Sequence, residues 1–142
     1  MASADLEQRN EYIGSPPRPW LRVLLLEPGE EKHECRLLAD TGNPFAIIVD
    51  SETMNTCKLF DGPDASTNFG RILGGWLHVT IPELRFDRVI LGYASDAVAK
   101  SASASSANLT GLIGLPLLRM FEYGGNENSF WLRTDPANEV VR

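Results

Sequence analysis

From Trp20 onward the chain is a succession of short apolar runs cut by turn residues, and few architectures tolerate that texture. Trp20–Leu26 has the composition of a strand, Pro28-Gly29-Glu30-Glu31 is a turn, and His33–Ala39 returns, so the pair reads as a β-hairpin. Phe45–Val49 is a short, wholly apolar strand between Pro44 and Asp50. Ser51–Leu59 is ambiguous, and Asp61-Gly62-Pro63-Asp64 reads as a loop. Trp76–Ile81 and Leu84–Leu91 are two further strands joined at Pro82-Glu83. In the first, Trp76, His78 and Thr80 share one face, and Leu77, Val79 and Ile81 the other. Gly124-Gly125-Asn126-Glu127-Asn128 signals a turn before a last strand, Ser129–Arg133. One short helix is predicted over Pro116–Phe121, since proline suits the first helical turn. Many short strands with one small C-terminal helix specify an all-β domain, closed or nearly closed into a barrel.

The flanks and one internal stretch differ. Residues 1–19 are polar and end in Ser15-Pro16-Pro17-Arg18-Pro19, which forbids a helix and predicts an N-terminal arm or edge segment. Residues 20–142 then make one domain, because 142 residues suffice for one core and not for two. Residues 95–108 are rich in Ser and Ala and poor in large apolar groups, which predicts a mobile surface loop.

Composition removes several function classes. A net charge of −6 argues against a nucleic-acid binder, which carries a basic patch. No apolar run approaches the roughly 20 residues of a membrane-spanning helix. Val23–Leu26, flanked by Arg22 and Glu27, is too short for the core of a signal peptide. Cys35 and Cys57, with no export signal, predict a reduced pair in a cytoplasmic protein. His33 and His78 lack Cys-x-x-Cys or His-x-x-x-His spacing, so a metal site is not expected.

Asp40-Thr41-Gly42 is the tripeptide with chemical potential, because it forms a tight turn between two apolar strands. A carboxylate held there is rigid, as catalysis requires. Taken alone, Asp40 is equally a turn residue accepting local N–H bonds. Two later segments add to it. Gly74-Gly75, within Leu73-Gly74-Gly75-Trp76, reads as a flexible hairpin tip suited to a lid. Leu112-Ile113-Gly114 places a small residue after two apolar ones.

In this order the three segments and the Pro116–Phe121 helix resemble the single-domain aspartic proteases of the retropepsin type, over roughly Trp20 to Thr134. The resemblance implies a small β-barrel-like domain that works as a homodimer, with two Asp40 carboxylates at the twofold axis. It implies catalytic roles for Asp40, Thr41 and Gly42. It also implies substrate contacts from Asn43, Leu73, Gly74, Gly75, Trp76, Ile113 and Gly114. The activity implied is hydrolysis of a protein or peptide substrate without cofactor, nucleic acid or membrane. No second Asp-Thr-Gly or Asp-Ser-Gly occurs, so the other carboxylate must come from a second copy.

Three positions depart from the retroviral pattern. Asn43 stands where Ala or Ser is usual, and its amide can hydrogen-bond near the carboxylates. Pro44 and Leu115 replace an acidic residue and an arginine that pair in retroviral enzymes. Both partners are missing together, so no buried charge is orphaned. A different class of function on the same fold is a non-catalytic peptide-binding or dimerisation module.

Overall fold

The structure, a computed structural model, describes residues 6–68, 70–106 and 108–134. Expectations for residues 1–5, Phe69, Ala107 and residues 135–142 lie outside the described residues. In chain order the elements are β1 (Glu7–Glu11), β2 (Trp20–Leu26), β3 (Lys32–Asp40), β4 (Ile47–Val49), α1 (Ser51–Cys57), β5 (Phe60–Thr67), β6 (Gly70–Ile81), a 3-10 turn (Pro82–Leu84), β7 (Phe86–Ala94), α2 (Asp96–Ser105), β8 (Gly111–Gly114), α3 (Leu115–Leu118), β9 (Glu122–Gly125) and β10 (Ser129–Arg133).

The large sheet runs β2-β3-β8-β4-β7-β6-β5, and β2 also pairs with β6, with Leu24 opposite Thr80 and Leu26 opposite His78. That extra pairing closes six strands into a barrel and leaves β5 outside, attached to β6. Period-two alternation fills the interior. Leu21, Val23 and Leu25 of β2 and Leu77, Val79 and Ile81 of β6 are fully buried. The face assigned to Leu77, Val79 and Ile81 from the sequence is therefore the core face.

A second sheet, β1-β10-β9, joins the first described strand to the last two. The described part of the N-terminal arm is thus an edge strand of the folded unit. Buried Gln8 fastens it to the barrel: its Nε2 donates to the Arg22 carbonyl (2.9 Å) and its Oε1 accepts from the Arg22 N–H (2.7 Å).

Four expectations are corrected. Residues 96–105 are a helix, not a mobile loop. Ser95 caps it by accepting from the Val98 N–H (3.2 Å), and Ala99 and Ala102 form its buried face. Alanine is the best helix former, and its small side chain lets a helix lie close to the sheet without large apolar groups. Among the described residues there are accordingly three α-helices, not one. Ser51–Cys57 is capped by the Asp50 carboxylate, which accepts from the Thr53 N–H (2.9 Å). The predicted C-terminal helix is a single turn, Leu115–Leu118. Asp61–Asp64 belongs to β5, where a register shift between Gly62 and Ala65 accommodates Pro63. Gly124-Gly125 ends β9, so the turn begins only at Asn126.

Candidate active site

Asp40 is the last residue of β3, and the sheet register explains how it is held. β8 runs parallel to β3, with Asp40 opposite Gly114, and antiparallel to β4, with Ile47 opposite Ile113. It is therefore wedged between the strands that enter and leave the Asp40 turn. Only glycine fits at 114, since a Cβ there would lie 2.0 Å from the Phe45 carbonyl oxygen and 2.7 Å from that of Asn43. The turn is closed by the Asn43 N–H donating to the Asp40 carbonyl (3.1 Å). The Gly42 N–H donates to Asp40 Oδ1 (3.0 Å), and the Leu115 N–H to the Asn43 carbonyl (3.1 Å). Asp40 is half-buried, whereas Thr41 and Gly42 are exposed at the apex.

Asn43 is only 7% exposed. Its Oδ1 accepts from the Phe45 N–H (3.2 Å), which fixes the amide orientation. The Nδ2 then has no hydrogen-bond partner among the described residues. A buried unpaired amide costs about 1–3 kcal/mol, so its persistence calls for a physical reason.

An open cleft of about 1020 Å³ adjoins the turn. Its lining comes from the turn itself (Asp40, Gly42, Asn43), from the β5–β6 hairpin (Thr67, Asn68, Arg71, Ile72, Leu73) and from the start of α2 (Ser95, Asp96, Val98). Ile48 and Leu112 add apolar surface. Asp64 braces the hairpin, its Oδ2 meeting Arg71 Nε at 3.0 Å and its Oδ1 accepting from the Gly74 N–H at 3.3 Å. Near the tip, Thr67 Oγ1 donates to the carbonyl of Gly70 (2.7 Å), whose φ of 113° favours glycine.

Of the residues expected at the site, Asp40, Gly42, Asn43 and Leu73 line one cleft. The others do not line it. Gly74-Gly75 lies inside β6 and is not the hairpin tip. A Cβ at Gly74 would sit 2.0 Å from the Pro63 carbonyl oxygen, and one at Gly75 2.5 Å from Met54 Sδ. These glycines admit the neighbouring strand and helix, not a hinge. Trp76 lies across from Phe60, ring centroids 6.1 Å apart. Ile113 is fully buried, and with Gly114 it supports the turn from β8. Thr41 stands outside the cleft at the apex.

Sequence reasoning missed the α2 contribution, although Ser95-Asp96 before an alanine-rich stretch is a helix-start signal. Asp96 is a second carboxylate in the cleft, but it is committed. Its Oδ1 accepts from the Ser51 N–H (2.8 Å) and its Oδ2 from the Ser51 hydroxyl (3.1 Å). Both cysteines are free and buried. Burial, followed by the charges of neighbouring groups, pushes the Cys35 thiol up to about 12 and Cys57 up to about 11. Among the described residues no helix is long and apolar enough to cross a membrane.

No family model matches the chain, and comparisons with curated proteins and with solved structures find no match either.

Proposed function

We propose that the protein is an aspartic endopeptidase of the retropepsin type that acts as a homodimer. The observation that carries this reading is the cleft: a rigidly held Asp40 and a projecting β5–β6 hairpin line the same open groove. Such a groove accepts an extended peptide between turn and hairpin, with Ile48, Leu112 and Leu73 as apolar contacts.

A second copy supplies the second Asp40. Two carboxylates about 3 Å apart share one proton and titrate as a pair. The ionised Asp40 takes a proton from water as the water oxygen bonds to the peptide carbonyl carbon. The protonated Asp40 gives its proton to the carbonyl oxygen. The resulting diol collapses as the C–N bond breaks, with the nitrogen leaving as an amine after accepting a proton from the dyad.

The test is Asp40→Asn, which keeps the shape and the Gly42 contact. Expected is cleavage of a peptide library by the parent, and none by the variant, with unchanged circular dichroism and melting temperature. Full cleavage by Asp40→Asn would end the proposal. A parent that binds extended peptides and cleaves none would make the domain a binding module instead.

A further inference from the structure

Glu27, His33 and Cys57 come from three separate places in the chain, yet their ligand atoms all lie within 4.8 Å of one another. The barrel topology makes them converge. The inward row of β2, Leu21, Val23 and Leu25, continues one step past the strand to Glu27. The corresponding row of β3 runs Leu37, Cys35 and His33, with His33 opposite Leu25. Cys57, the fully buried last residue of α1, closes the group.

Two apolar rows thus end at the same point in a carboxylate and an imidazole beside a buried thiol. Packing does not require that, since an apolar side chain would complete either row. Neither the Glu27 nor the His33 side chain hydrogen-bonds a described residue.

We propose that Glu27, His33 and Cys57 form a binding site for a zinc-class divalent cation, with its remaining position open to water. One carboxylate oxygen, one imidazole nitrogen and one sulfur suit a borderline cation. Calcium and magnesium prefer oxygen-only shells. Bonds of about 2.0–2.3 Å put tetrahedral ligands about 3.5 Å apart, so side-chain adjustments of about an ångström complete the shell. Binding replaces the thiol proton, which passes to solvent. The expectation of no metal site rested on local spacing, and these ligands have none: the fold brings them together.

None of the three residues lines the cleft. The cation would instead clamp the β2–β3 hairpin to the C-terminal end of α1. The other end of that helix, Ser51, borders the cleft about 9 Å away along the axis.

The experiment titrates the metal-stripped full chain with Co²⁺, followed by thiolate-to-cobalt charge-transfer absorption, and then displaces it with Zn²⁺. Expected is one equivalent bound, loss of the band in Cys57→Ser, and affinity weakened about tenfold or more in His33→Ala and Glu27→Gln. The last two positions are only partly buried, whereas Cys57 is fully buried, so these variants keep the test valid should Cys57→Ser fail to fold. Zn²⁺ should also raise the melting temperature of the parent more than that of His33→Ala. Asp40→Asn should bind as the parent does. Absence of the band in the parent, or undiminished affinity in both His33→Ala and Glu27→Gln, would overturn the proposal.

Discussion

The amide of Asn43 is held from one side only: Phe45 N–H fixes its oxygen, while its nitrogen goes unpaired in a chain taken singly. An acceptor supplied from outside the chain, such as substrate or a second copy, would remove that cost, and Asn43 does border the cleft. Asn43→Asp makes the point testable, because it keeps the oxygen and replaces the NH₂ with a second carboxylate oxygen. Burial and the nearby Asp40 charge would raise the folded-state pKa of the new carboxyl above its unfolded value of about 3.9. The penalty should therefore vanish well below that value and grow as pH rises above it. Urea unfolding across pH should show a loss of about 1–3 kcal/mol near neutrality that recovers in acid. The position of Asn43 was legible in the sequence, where it follows the tripeptide. Its burial was not, because it depends on β8 lying beneath the turn.

At the scale of elements, α2 shows how composition can mislead. Its Ser/Ala repeat lacks large apolar groups, so nothing in it advertises burial; yet Ala99 and Ala102 are buried. Its stability should rest strongly on the Ser95 cap. Ser95→Ala is expected to lower stability by about 1 kcal/mol in thermal unfolding, and Ser95→Asn to keep most of it. Gly74-Gly75 misleads in the opposite sense. A glycine pair commonly marks a turn, but here it marks two close approaches inside one strand. The hairpin that borders the cleft is β5–β6, and Asp64 braces it through Arg71 and the Gly74 N–H.

At the scale of the molecule, β1 and β10, from opposite parts of the described chain, pair in one small sheet, and its charges predict an acid-sensitive junction. Glu7 accepts from Arg9 Nε (2.8 Å) and Arg133 Nε (2.6 Å). The hydrogen bond from Arg9, then that from Arg133, holds its carboxyl below the ordinary value of 4.5. A depressed pKa stabilises the fold above the unfolded value and ceases to do so as pH falls through the folded one. Chemical unfolding between about pH 6 and pH 3 should therefore show a smaller acid loss in Glu7→Gln than in the parent. An equal loss in both would place the acid sensitivity elsewhere.

The sequence by itself determined the all-β class, the two faces of the second half of β6, and the turn that carries Asp40. Each of these depends on neighbours along the chain: alternation with period two, or a turn residue between apolar runs. Tertiary structure alone decided that β2 meets β6 to close the barrel and that β8 enters between β3 and β4. It also decided that the β5–β6 hairpin and α2 share a cleft with Asp40. The convergence of Glu27, His33 and Cys57 belongs to the same class. Such juxtapositions join residues tens of positions apart, and no local period records them; strand order does.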